Sequence, residues 1–383
     1  MVVGVLAVLA ASLLLGGCGV ISGFGDKDPH PPTELVDLAP EITVATLWSR
    51  QVGVGMDRRL SLIPALHGGR LHIADAEGRI FVLDAESGKV LWEQETGLPF
   101  SGGPAVDAGY LVLGSSDGDL VAHSVSDGRV LWKAHLDSEI LSVPRIAGPR
   151  VLVHTPDDSI HALDLDSGDP LWSSGYPAPV LTLRGSSRPV VTADSVIVGI
   201  SGGKLVNLDL QDGLPRWEIT VTPPHGRSEL ARIADIDADP ILVAGVLYAA
   251  TYNGDLAAVD VIKGTVLWRR RLSVHAGLAA NSGVLYVTDS DDRVRAVAAA
   301  DGTEIWQQVA LEYRRLTAPA VFGNLVAVGD LEGYVHWLDR RNGRLVARVA
   351  VADGPITGRP QVTGGRLYVY GDDGTLAALS VGE

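Results

Sequence analysis

Short apolar runs, alternating with polar positions and each closed by a turn containing Gly or Asp, recur down this chain in one fixed frame. From Arg70 to Trp92 the residues read RLHIADAEGRIFVLDAESGKVLW: two β-rich runs joined by Glu77-Gly78, then Ser87-Gly88, then a third run. Side chains alternate faces along a strand, whereas a helix brings every third or fourth residue to one face. Period-2 patterning with glycine turns at this spacing therefore predicts antiparallel hairpins and not helices.

The frame has four markers. Prolines stand at Pro64, Pro104, Pro144, Pro189, Pro240, Pro319 and Pro360, with Leu278 in the remaining slot. Fourteen residues after each comes a turn residue: Gly78, Gly118, Asp158, Gly203, Gly254, Asp292, Gly333 and Gly374. Twenty-four after come Gly88, Gly128, Gly168, Gly213, Gly264, Gly302 and Gly343, and twenty-eight after come Trp92, Trp132, Trp172, Trp217, Trp268 and Trp306, with Ala347 the one substitution. A period of 38 to 51 residues with all-β contents marks a repeat architecture whose unit is a four-stranded blade.

The eighth unit runs out of chain after its third strand, because the tryptophan slot counted from Pro360 lies beyond Glu383. Thr46-Leu47-Trp48-Ser49-Arg50 carries a tryptophan in the same local setting, so the N-terminal strand is expected to complete the last blade. Closure removes the sheet edges that an open array would leave. The fold expected is all-β: an eight-bladed β-propeller of four-stranded antiparallel blades over 43–383, its ring closed by the N-terminal strand pairing with the C-terminal blade. Each tryptophan is expected to pack flat on the next blade with its indole N–H on a backbone acceptor.

Composition sets the surroundings. A net charge of -15 and a pI near 5.0 argue against nucleic acid as a partner, since phosphate backbones are bound by clustered Lys and Arg. The one cysteine, Cys18, follows an apolar run from Met1 and the small residues Gly16-Gly17. That run is short for a membrane span, which needs about 20 apolar residues, and suits a signal-peptide core over 1–17. The residues before Cys18 resemble the bacterial lipobox, which implies acylation of the thiol and a lipid anchor in the membrane. In lipoproteins of that kind Gly19 favours transport to the outer membrane. Residues 18–42, with Pro29, Pro31 and Pro32 close together, are expected to form a flexible tether spanning on the order of 25 Å.

Catalytic patterns are weak. Gly114-Ser115-Ser116-Asp117-Gly118 matches a nucleophile elbow, but that motif needs a strand-to-helix turn and Gly118 sits in the hairpin slot shared by every blade. Asp235-Ile236-Asp237-Ala238-Asp239 begins like a calcium loop, but Pro240 and Val246 stand where the glycine and final glutamate belong. The ten histidines show no paired spacing and no phosphate loop is present. No catalytic residue, metal site or cofactor is expected.

Where the units differ is more informative. The spacing from tryptophan to the next unit is 10 to 13 residues except in two neighbouring connections, Trp172 to Pro189 at 17 and Trp217 to Pro240 at 23. By strand parity these connections emerge on the ring face that also carries the turns after each blade's second strand. Extra length on a rigid scaffold is a usual place for function. The first connection holds Leu181, Leu183 and Arg184, the second Asp235 and Asp237, and Arg184 is within reach of a carboxylate of the adjacent loop. On the residues alone, local packing and a partner surface are equal readings.

The lipobox, the eightfold frame and the stretches Leu181-Thr-Leu-Arg-Gly185, Asp235-Ile-Asp237, Tyr252-Asn-Gly-Asp-Leu256 and Gly329-Asp-Leu-Glu-Gly-Tyr-Val-His-Trp337 together resemble the BamB family. These are lipoproteins of the outer-membrane β-barrel assembly (BAM) machinery of Gram-negative bacteria. The resemblance implies a non-catalytic scaffold, lipid-anchored at the periplasmic face of the outer membrane, that assists folding and insertion of outer-membrane proteins. The partners it implies are the POTRA domains of BamA, the other BAM lipoproteins and nascent outer-membrane proteins. It also implies contact with BamA through Leu181, Leu183, Arg184, Asp235 and Asp237. The stretches around Asp84 to Trp92 and Asp260 to Trp268 are similar as well to the repeats of pyrroloquinoline-quinone dehydrogenases. Those enzymes commonly add an adjacent-cysteine disulfide at the cofactor, and with Cys18 acylated this chain has no thiol for one.

Overall fold

The structure, a computed structural model, describes residues 29–56, 60–179, 181–183, 185–228 and 232–382. The strands fall into eight sheets. Blades 1 to 7 occupy 65–95, 100–135, 145–175, 190–220, 241–271, 274–308 and 320–350, each running from innermost to outermost strand in chain order. Blade 8 takes its three inner strands from 361–381 and its outermost from Val44–Gln51. Blade 2 gains a fifth strand, Ser61–Leu62, parallel to Gly102 and Gly103.

The closing strand reproduces the register of the others. In blades 1 to 6 the tryptophan of the outermost strand faces Val82, Ala122, Ala162, Asn207, Ala258 or Ala296, with a bulge beside the pair. Trp48 faces Ala378 beside the same kind of bulge. In blade 7 the pair is inverted: Trp337 on the third strand faces Ala347 on the outermost. Trp337 is fully buried and meets Phe322 edge-on at 5.5 Å between ring centroids.

Tryptophan and glycine lock successive blades together. A Cβ built on Gly88, Gly128, Gly168, Gly213, Gly264, Gly302 or Gly343 would stand under 3.0 Å from an indole carbon of Trp48, Trp92, Trp132, Trp172, Trp217, Trp268 or Trp306. All seven glycines have positive φ, between 63° and 77°, so the backbone curvature and the indole both demand the absence of a side chain. The indole N–H of Trp92 donates to Val125 O at 3.1 Å, of Trp132 to Leu165 O at 2.7 Å, and of Trp306 to Arg340 O at 2.9 Å; the other three repeat the pattern. At Trp48 the corresponding carbonyl, Ala85 O, accepts the Tyr368 hydroxyl at 3.0 Å instead. Blade 8 has no turn between its third and outermost strands, hence no such glycine, and the slot at Ala347 has nothing to stack an indole on.

The turn slot has positive φ in seven of the eight blades, and in blade 5 Asn253 takes it in place of Gly254. Where it lacks glycine, Asp158 and Asp292 adopt φ of 58° and 62°, a region that Asp tolerates better than most residues. The connection leaving each blade hydrogen-bonds that turn, for example Thr96 N to Gly78 O at 2.9 Å, Tyr176 N to Asp158 O at 3.1 Å and Val221 N to Gly203 O at 2.7 Å. Blade-to-blade connections and second-strand turns therefore share one face of the ring.

Thr33 to Glu41, counted above with the tether, is tied to the ring. Thr33 N donates to Glu312 O at 3.0 Å, Glu41 N to Val346 O at 2.8 Å, Arg314 to Thr33 O at 2.9 Å and Arg348 to Val36 O at 3.2 Å, while Leu35 packs on the blade 6–7 core. Residues Pro29 to Pro32 are exposed. The signal run and Cys18 lie outside the described residues.

Candidate functional site: two clamped loops

The two lengthened connections lie side by side. In the segment from Asp235 to Asp239, Ile236 and Ala238 are buried in the core, while Asp235, Asp237 and Asp239 meet the first connection. Each meets it in sequence. Leu183 N donates to Asp235 Oδ2 at 2.7 Å. Gly185 lies against Asp237, where a Cβ would come within 3.1 Å of the carboxyl carbon. Arg188 N donates to Asp239 Oδ1 at 2.8 Å.

Asp235 is 3% exposed. Its second oxygen accepts Gly202 N at 3.0 Å, from the second-strand turn of blade 4, and its own carbonyl accepts Tyr252 N at 3.0 Å. The Asp235 carboxylate thus ties the first connection to the blade 4 turn, and its backbone carbonyl adds the blade 5 turn. Burial raises the Asp235 carboxyl above its ordinary range, the bonds from Gly202 and Leu183 oppose that, and the nearby Asp158 carboxylate adds to it. Burial pushes Asp237 up to about 7, with Asp235 and Asp158 adding to the effect. Asp158, from the turn of blade 3, accepts Ser201 N at 3.1 Å.

The geometry sorts the expected site residues. Leu181 is 44% exposed and Leu183 half-buried at the loop surface. Asp235 is turned inward as an acceptor for backbone, and Asp237 lies beneath Gly185. Arg184 lies outside the described residues. Sequence reasoning missed Asp158 and Gly202, although Asp158 breaks the glycine pattern of its slot. Among the described residues no group of three or more His, Cys, Asp or Glu side chains is placed to hold a metal ion.

A closed eight-bladed ring of four-stranded sheets, with two lengthened connections clamped together on one face, belongs to the class of β-propeller scaffolds. A family model described as outer membrane protein assembly factor BamB matches residues 35–100, 76–308 and 290–383. The protein of that name from Pseudomonas aeruginosa is 48% identical over 376 residues, 98% of each chain. The one from Alkalilimnicola ehrlichii is 52% identical over 379 residues, 99% of this chain and 97% of the relative. The chain belongs to the BamB family of outer membrane protein assembly factors. The crystal structure of BamB from Moraxella catarrhalis has a TM-score of 0.81 at 27% identity, covering 88% of this chain and 100% of that one. Quinohemoprotein alcohol dehydrogenase from Comamonas testosteroni reaches 0.67 at 13% identity, over 88% and 76% of the two chains, a likeness of fold alone. The comparisons favour the assembly-factor reading over the dehydrogenase one.

Proposed function

We propose that this protein is a non-catalytic scaffold of the BAM machinery, anchored through acylated Cys18 at the periplasmic face of the outer membrane, whose loop face docks on the POTRA domains of BamA. The observation that carries this reading is the exposed Leu181 beside half-buried Leu183, on a loop whose backbone is held by Asp235. An apolar anchor on a preformed loop binds with little ordering cost, and burying one leucine contributes about 1.5 to 3 kcal/mol. Arg184 adds a charged contact at the rim, and Asp235 and Asp237 set the loop's shape. Held beside the barrel-assembling subunit in this way, the ring assists folding and insertion of nascent outer-membrane proteins alongside the other BAM lipoproteins.

Co-purification of BamA with Leu181→Glu and with Leu183→Glu is expected to fall about tenfold or more while the variants keep the wild-type melting temperature. Undiminished BamA recovery with both folded variants overturns the docking assignment. The same preparation tests the anchor: Cys18→Ala is expected in the soluble fraction, and its persistence in the outer membrane without BamA overturns the lipid assignment.

A further inference from the structure

The central channel carries an unmatched charge cluster. A cavity of about 670 Å³ is lined by residues from the inner strands of the ring, and Arg145, Arg188, Arg359 and Asp239 stand in it together. A second cavity, of about 350 Å³, is lined by the same four residues. Three guanidiniums against one carboxylate leave a local charge of 3 - 1 = +2 in a protein whose net charge is -15.

The repeat frame shows that this is a departure and not a structural demand. Arg188, Asp239 and Arg359 each precede the phase-marking proline of their blade, and the same slot in the other five blades holds Ile63, Gly103, Val143, Gly277 and Ala318. Blades close without charge there. None of the three guanidiniums has a hydrogen-bond or ion-pair partner among the described residues, and Arg188 Nε is buried without an acceptor. Asp239 spends one oxygen on the Arg188 backbone N–H. A guanidinium cannot shed its proton to relieve burial, so Arg188 and Arg359 stay charged and under-compensated unless an anion or water reaches them, while Arg145 is exposed beside them. Burial holds Arg188 and Arg359 below the ordinary guanidinium value, with Asp239 opposing it.

We infer that the channel is a binding site for a small anion carrying two or more carboxylate or phosphate groups, held by Arg145, Arg188 and Arg359. The cavity falls within the usual range for small-ligand sites. Planar guanidiniums match carboxylate and phosphate oxygens in forked pairs, and a charge of -2 or more neutralises the cluster that Asp239 only partly offsets. The inference stands apart from the BamA reading, since none of its arginines belongs to the leucine loop's exposed surface.

Isothermal titration of the full chain in detergent, at fixed ionic strength, tests it with citrate and with pyrophosphate as probes and acetate as a monovalent control. Saturable binding of one equivalent is expected for at least one polyanion and none for acetate; which of the two binds distinguishes a carboxylate site from a phosphate site. Arg188→Gln and Arg359→Gln are each expected to weaken binding about tenfold. Asp239→Asn keeps an acceptor for the Arg188 N–H while removing the competing charge, and is expected to tighten binding. The inference is overturned if neither polyanion binds folded wild-type protein, if both arginine variants bind as well as wild type, or if Asp239→Asn leaves the affinity unchanged.

Discussion

Adding one methyl group at Gly343 tests the indole lock that joins the blades. Gly343 has φ of 72°, and a Cβ there would collide with carbons of the Trp306 indole. Alanine in this backbone region costs about 1 to 2 kcal/mol. Overpacking against a ring that is only 8% exposed adds about 1 to 3 kcal/mol. If the indole tilts to relieve the clash, its 2.9 Å bond to Arg340 O is lost, worth about 1 kcal/mol. Gly343→Ala is therefore expected to cost about 3 to 6 kcal/mol. Gly323 in the same blade supplies the control: its φ is 57°, and a Cβ there meets nothing within 4 Å. Gly323→Ala is expected to cost only the backbone part, about 1 to 2 kcal/mol. Urea unfolding gives both values under one set of conditions. A double-mutant cycle with Trp306→Ala sharpens the test, because removing the indole should reduce the cost of Gly343→Ala to that of Gly323→Ala. Equal costs for the two glycine variants in the wild-type background, within 0.5 kcal/mol, would refute the lock and leave backbone curvature as the whole reason for glycine.

Two further outcomes follow from buried titratable groups. His72 is fully buried and its pKa is lowered to about 4, burial being the main cause. Its folded value lies below its unfolded one, so the unfolded chain binds the extra proton, and stability is lost as pH falls from about 6.5 toward 4. The loss is of order 3 kcal/mol, and His72→Leu should flatten the urea-midpoint profile across that window; an unchanged slope contradicts the assignment. Asp330 accepts Arg314 Nε at 2.9 Å, His336 Nε2 at 2.8 Å and two backbone N–H groups, with Arg314 only 2% exposed. Asp330→Ala leaves the buried Arg314 guanidinium with only Glu332 and the Thr33 carbonyl, and removes the acceptor of His336 and of two backbone N–H groups; it is expected to cost about 3 kcal/mol in the same assay. It should also speed proteolysis near Thr33, whose carbonyl Arg314 holds; a cost below about 1 kcal/mol means the ion pair is already solvated.

The fold was legible because its information is local and repeated. A turn glycine, a strand period and a tryptophan each act within a few residues, and eight copies in phase leave one architecture. Trp48 could be assigned to the last blade from its surroundings alone, and it faces Ala378 as Trp132, Trp172, Trp268 and Trp306 face alanines. Ala347 could be recognised as an exception but not explained. Its reason lies in Trp337 across the ladder and in a turn that blade 8 lacks, the second a consequence of ring closure. The lengths of the two loops were likewise visible, while the inward direction of Asp235 was not. Its acceptor role depends on Gly202, which belongs to another turn and comes near only in three dimensions. The channel arginines were hidden for the same reason, since Arg145 and Arg359 meet only when the circle is complete.

The alternation in Asp235-Ile-Asp-Ala-Asp239 shows how one short segment serves both the rim and the channel. Its apolar members anchor it in the core, and its acidic members accept the neighbouring backbone at Leu183 near the rim and at Arg188 in the channel. A loop held at both ends by side chains that accept its N–H groups has already lost most of the freedom that binding would otherwise take from it. In the proposed docking, Asp235 favours association by holding the leucine loop in place. Substituting Asp235 should slow docking in proportion to how far the leucines wander, and not through any charge the partner feels. On this reasoning Asp235→Asn, which keeps one oxygen acceptor but not both, belongs between wild type and Asp235→Ala in BamA recovery. Its dependence on salt should match that of wild type, whereas a charge contacting the partner directly would alter the salt slope when removed.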